Sequence, residues 1–160
     1  MTPVHYVGDT SIVVQVLVTE ANSPRVETLL AGLLMPESET QLWVPDYCLV
    51  ECGNVLWGHV QFKGMAGAIA EAHLDRLLKL PLHIASSVIR LPRTLQIAMA
   101  LSITMYDAGF LALAEKLQCP LITEDGKQAK AANAMGLALK SITDFPPVSG
   151  YPGLKSGSTK

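Results

Sequence analysis

Residues 105–125 read MYDAGFLALAEKLQCPLITED, and the reading of this stretch decides the fold. Asp107, Phe110, Leu111 and Ala114 recur at helical spacing, so the stretch opens as a helix with an acid at the head of its buried stripe. PLIT (120–123) follows as a short apolar run, the pattern of a buried strand. Glu124 and Asp125 then close that strand. Carboxylates beside the most apolar segments of a chain are either caps and loop residues, or they face one another and share something positive.

Outward from this stretch the same alternation repeats. VHYVGD (4–9) is a short strand ending in an acid. SIVVQVLVTE (11–20) has strand-like composition but reads as a buried helix, capped by Thr10 or Ser11. SPRVETLLAGLLM (23–35) is a helix with Ser23 as cap and Pro24 at its first position. QLWV (41–44) is a second strand, stopped by Pro45. DYCLVECGNVLWGHVQFKG (46–64) is a helix with Asp46 as cap and Gly64 as stop. AGAIAEAHLDRLLKL (66–80) is a helix whose acids lie early and bases late. LHIAS (82–86) is a third strand, and the helix in PRTLQIAMALSIT (92–104) breaks near residues 103–105. GKQAKAANAMG (126–136) is a short helix, and LALKSI (137–142) a fifth strand. Strands alternating with helices predict an α/β domain with a central, mostly parallel sheet of four to five strands. The domain is expected over residues 1–145, with a loose Pro/Gly/Ser-rich tail over 146–160.

The totals bound the function. The chain has 160 residues, 49% hydrophobic and 16% charged, with a net charge of -2. That suits one domain with a substantial core, and it excludes a general basic surface for nucleic acid. Three cysteines, Cys48, Cys52 and Cys119, show no disulfide spacing, which suggests a reducing compartment and buried thiols. The N-terminus has no signal-peptide pattern. The most apolar run, residues 95–114, would have to bury Asp107 to span a membrane, so two helices with a break are expected there instead.

In parallel sheets, ligands bind in the crevice beyond the carboxyl ends of the strands. Asp9 ends the first strand, Asp125 follows the fourth, and Asp107 opens a helix that starts at the same rim. Glu51 lies one to two turns into its helix, on the side of Asn54 and Val55, and reaches the rim if that helix crosses it. Two carboxylates about 4 Å apart repel by about 4 kcal/mol at an effective dielectric near 20. A cluster therefore needs protonation or a cation, and all-oxygen ligands suit Mg²⁺ or Mn²⁺. Such an ion serves phosphodiester hydrolysis. The plain alternative is that these are caps and solvated charges among fourteen acids. Asp46 is most simply a cap. Glu20, Glu27, Glu71 and Asp75 are most simply surface charges, Glu124 competes with Asp125, and Thr123 is either a strand residue or an orienting hydroxyl.

Taken in order, VGDTS (7–11), VPDYCLVECGNVLW (44–57) and YDAGFLALAEKLQCPLITEDGK (106–127) resemble the PIN-domain family, and within it the VapC-like toxin ribonucleases. The resemblance runs from about residue 4 to residue 145. It implies a three-layer α/β/α domain that binds Mg²⁺ or Mn²⁺ and cleaves RNA. Carried onto this chain, the acids are Asp9, Glu51, Asp107 and Asp125. Asp9, Asp107 and Asp125 are expected as direct metal ligands, with Glu51 completing the site. Ser11 and Thr123 match the small hydroxyl positions, and Asn54 matches a supporting polar residue. The resemblance also implies a homodimer, a cognate antitoxin protein and a prokaryotic cytoplasm.

Three features depart from the pattern, the first a mildly acidic surface. Gly126 follows Asp125 where toxins often carry Arg or Lys, with Lys127 one place further on, and the tail is long. Lys127 and Lys130 are the candidate RNA contacts, with Arg90 and Arg93 behind them, and each reads equally well as a solvated charge. Two other functions compete. A catalytically silent PIN-like module would act through protein contacts alone. An aspartyl phosphatase would use Asp9 as nucleophile, but Ser11 stands where such enzymes usually carry a second acid.

Overall fold

The computed structural model describes residues 4–150. Five strands form one sheet: β1 (His5–Gly8), β2 (Gln41–Pro45), β3 (Leu82–Ala85), β4 (Leu121–Ile122) and β5 (Leu139–Lys140). Their order is β3-β2-β1-β4-β5, and every pairing is parallel. The seven α-helices between them are α1 (Thr10–Val13), α2 (Ser23–Leu34), α3 (Tyr47–Phe62), α4 (Gly67–Leu78), α5 (Leu91–Leu101), α6 (Met105–Leu117) and α7 (Gly126–Ala134). The expected α/β class and the five strands are observed.

The inner strands β1, β2 and β4 are largely buried and alternate between two cores, whereas the edge strands β3 and β5 keep exposed residues. Val7, Val44 and Leu121 face the larger core with Cys48 and Cys52 of α3, Ile97 of α5 and Phe110 and Leu111 of α6. Leu42 and Ile122 face the smaller core with Val26, Leu29 and Leu30 of α2. Helix–sheet–helix layering follows from that alternation. All three cysteines are buried and free, as small hydrophobes.

Several caps differ from the expected ones. Asp9, not Thr10 or Ser11, caps α1, accepting from Ser11 N–H at 3.0 Å. The Thr10 hydroxyl is turned toward Glu51 instead. Ser23 lies inside α2 and caps nothing; Asn22 holds the cap position without a side-chain bond. Buried Ser23 donates to Gln15 O at 2.8 Å and so fastens the preceding loop. Asp107 stands in the first turn of α6, as expected, but Thr104 is the cap, with the two side chains 3.0 Å apart and Asp107 N–H donating to Thr104 Oγ1 at 3.1 Å. Asp46 caps α3 as expected, accepting from Tyr47 N–H at 2.9 Å, and Gly64 follows the helix at φ +72°.

The apolar run around residues 95–114 breaks at Ser102, a left-handed residue with φ 53°. The two helical segments on either side meet at 115°. Among the described residues no single helix is long and apolar enough to cross a membrane. The expected tail lies mostly outside the described residues. Its described start returns to α2, where Val148 N–H donates to Pro24 O at 3.1 Å.

Candidate functional site

The sheet order creates a switch point. From β1 the chain steps to β2 on one side, and β4 lies on the other. Crevices form beyond the carboxyl ends of strands where the direction of winding reverses. Asp9 follows β1 there, and Thr123, Glu124 and Asp125 follow β4.

Asp9 is 5% exposed. One carboxylate oxygen accepts from Ser11 N–H and the Ser11 hydroxyl, and the other accepts from the Thr123 hydroxyl. Both hydroxyls are themselves held by the backbone of the second loop. Glu124 N–H donates to Ser11 Oγ at 3.0 Å, and Asp125 N–H donates to Thr123 Oγ1 at 3.0 Å. Two loops far apart in sequence thus close on one buried acid. Burial pushes the Asp9 carboxyl up to about 6, with the nearby Asp125 charge adding to it and the hydroxyl bonds opposing it.

Glu51 sits in the second turn of α3, half-buried, and accepts from Thr10 Oγ1 at 2.7 Å. Burial raises its proton affinity, and the charge of Asp107 raises it further. The charge of Asp125 thus bears on Asp9, and that of Asp107 on Glu51. Asp125 caps α7, accepting from Lys127 N–H at 2.8 Å. Glu124 points elsewhere: its carboxylate receives Gln15 and Asn22 side chains. That orientation separates two neighbours which the sequence alone leaves equivalent.

Sequence reasoning missed three residues that set this geometry. Tyr47 donates its hydroxyl to Tyr106 O at 2.6 Å, beside Asp107. Gly109 makes room for that phenol, since a Cβ there would stand 2.0 Å from the hydroxyl. A glycine inside an apolar helical stripe is the signal for such a close approach. Buried Gln128 donates its amide to Asp107 O at 3.0 Å, and its own N–H reaches Asp125 Oδ1 at 3.4 Å. It ties the starts of α6 and α7 together, and no sequence signal marks it.

Two hollows flank the acids. Thr10, Glu51, Asn54, Val55, Tyr47 and Tyr106 line a cleft of about 540 Å³. Asp107, Thr104, Lys127 and Gln128 line a smaller one of about 300 Å³. Lys127 and Lys130 are both exposed on α7. Arg93 is bound to Glu115 through two nitrogens, at 2.8 and 2.6 Å, and Arg90 donates to Ser86 O at 2.6 Å.

Among the described residues no three His, Cys, Asp or Glu side chains form a ready set of metal ligands. The chemistry of the donors nonetheless fits a hard cation. They are all oxygen, and Asp9 and Glu51 carry raised proton affinity that a cation would compete for. Mg²⁺ retains several waters and needs only one or two direct carboxylates, so paired donors suffice.

No curated protein sequence matches this chain. Among solved structures, PAE2754 from Pyrobaculum aerophilum superposes with TM-score 0.67 at 21% identity, covering 89% of this chain and 86% of that one. VapBC2 from Rickettsia felis, solved bound to a DNA fragment from its promoter, gives TM-score 0.59 at 17% identity, covering 86% and 98%. VapC20 from Mycobacterium tuberculosis, a sarcin-ricin-loop cleaving toxin, gives 0.56 at 17%, covering 79% and 94%. These likenesses bear on the fold. The PIN domain family model matches residues 6–134, a span from β1 to the end of α7 that includes both loops closing on Asp9, and the chain belongs to the PIN domain family.

Proposed function

We propose that this protein is a metal-dependent endoribonuclease and the toxin of a toxin–antitoxin pair. The observation that carries the reading is the buried Asp9, held by hydroxyls from two loops at the sheet's switch point, its proton affinity raised in part by the Asp125 charge as that of Glu51 is by Asp107. Asp9, Asp107 and Asp125 are the proposed direct ligands of Mg²⁺ or Mn²⁺, and Glu51 completes the site. When bound, the ion supplies Lewis acidity for attack of water on a phosphodiester. Ser11 and Thr123 hold the Asp9 carboxylate in orientation. Thr10 does the same for Glu51. Lys127, on the rim of the smaller hollow, and Lys130 are the proposed contacts to RNA phosphates.

Partners are proposed from exposed apolar faces. Val50, Trp57, Leu74 and Leu78 form an apolar groove between α3 and α4, suited to an apolar segment of an antitoxin. Neighbours of this fold were solved as VapBC and FitAcB assemblies. Val88, Ile89, Leu95 and Met99 around α5 are also exposed and are the proposed contact with a second copy. A cytoplasmic location belongs to the same reading, and the tail over 146–160 is proposed to lie outside the catalytic domain.

The phosphatase reading is disfavoured, because Ser11 stands where such enzymes usually carry a second acid, and its hydroxyl donates to Asp9 itself. A silent protein-binding module remains the rival that the apolar faces favour. The deciding experiment is cleavage of mixed cellular RNA, with and without Mg²⁺ or Mn²⁺, by wild type and Asp107→Asn. Metal-dependent cleavage lost in the variant, with unchanged thermal stability, is the expected result. Retained metal-dependent cleavage by Asp107→Asn overturns the assignment of the acids. No cleavage by wild type, with a stable protein complex, favours the silent module.

A further inference from the structure

The larger cleft beside the acids has a composition that metal binding does not explain. Tyr106, next to Asp107 in the chain, is 58% exposed. Its position is fixed from behind: Tyr47 meets it edge-on at 5.5 Å between centroids and donates to its carbonyl at 2.6 Å. That lock requires Gly109, where any Cβ would collide with the Tyr47 hydroxyl. The neighbouring Val50 is 72% exposed. The side-chain amide of Asn54 makes no hydrogen bond among the described residues and faces the same cleft. Among the described residues no Lys or Arg lines it, whereas Lys127 lines the hollow on the other side of Asp107.

A fixed, exposed aromatic ring with an apolar neighbour and a free amide suits a planar group with hydrogen-bonding edges. The absence of lining cations argues against a phosphate in this cleft. Glu51 lines both the cleft and the candidate metal site, so an occupant here is adjacent to any phosphate held by the acids. The geometry points to a nucleobase subsite: an unpaired base of RNA stacks on Tyr106 and is hydrogen-bonded at its edge by Asn54. This inference rests on the nuclease reading and adds which side chains receive the base beside the cleaved bond.

The test uses the full chain and a fluorescently labelled pentaadenylate, followed by fluorescence anisotropy with Ca²⁺ in place of Mg²⁺, the strand being checked as intact after each titration. Stacking of one base predicts that Tyr106→Ala and Tyr106→Leu weaken binding by about 5- to 150-fold. Tyr106→Phe stays within about twofold of wild type, because it keeps the ring. A strand with abasic positions binds weakly, and Tyr106→Leu weakens it no further. Equal binding by wild type and Tyr106→Leu overturns the subsite, as does no binding by wild type. Loss of a protein partner by Tyr106→Leu with RNA binding intact also overturns it, because the cleft then serves a polypeptide. Cleavage of cellular RNA by wild type is scored separately. Cleavage with a Tyr106-independent affinity removes the subsite alone, and base-dependent binding without cleavage removes the nuclease reading alone.

Discussion

At Asp9 the fold holds a carboxyl where water cannot solvate its charge. Its proton affinity rises from the ordinary 3.8 to about 6 because of burial. Between those values the native chain keeps a proton that the unfolded chain has released, so stability falls as pH rises through that window. Above it the full cost, about 3 kcal/mol, stands. Asp9→Asn removes the charge and keeps the shape. In chelator, denaturant unfolding should show the variant more stable than wild type by up to about 3 kcal/mol at pH 8, with the gap closing toward pH 4. A variant less stable than wild type at pH 8 would mean that burial is not what the acid pays. Gly109 makes a second prediction at this scale. Gly109→Ala should cost about 1–3 kcal/mol by overpacking against Tyr47. The cost should shrink in a Tyr47→Phe background, because the hydroxyl is the nearest atom to the added methyl. A double-mutant cycle by denaturant unfolding measures that coupling.

Among the elements, α6 carries the most consequence. Its first turn presents Tyr106 and Asp107, its middle is buried from Ala108 to Ala114, and its end is a left-handed Gln118 at φ 50°. A non-glycine residue in that conformation costs about 1–2 kcal/mol, and glycine avoids most of this at some cost in chain entropy. Gln118→Gly should therefore raise stability by about 0.5–1 kcal/mol. It lies at the opposite end of the helix from the acids, so RNA cleavage should not change. An unchanged or lowered melting temperature would show that the Gln118 side chain contributes more than its backbone strain costs. The break at Ser102 is the other decisive element-scale feature. By turning the chain through 115° it separates α5, which offers an apolar outer face, from α6, which supplies the core and an acid.

For the molecule as a whole, exposed apolar surface on two separate faces is more than scattered single residues require. If α5 seats a second copy, Ile89→Asp together with Met99→Asp should convert a dimer to a monomer in sedimentation velocity without lowering the melting temperature. Both side chains are largely exposed, at 77% and 66%, so neither change opens the core. A wild-type chain that sediments as a monomer at all concentrations would remove the dimer proposal.

Much of this was legible in the sequence. The strand–helix alternation, the break before α6, the buried cysteines and the acids at the strand ends all follow from local spacing and propensity, which act over a few residues. The caps were read less well, because a Ser or Thr beside an Asp offers the backbone the same bond, and only the surroundings decide. Thr10 leaves the cap for Glu51, 41 positions away. Tertiary structure alone decided that Glu124 turns to Gln15 and Asn22 while Asp125 caps α7. It also decided that Gln128 joins two helix starts and that Gly109 admits a phenol from α3. Those outcomes depend on pairs of residues far apart in the chain, whose meeting is fixed by strand order and packing rather than by any periodicity a single segment carries.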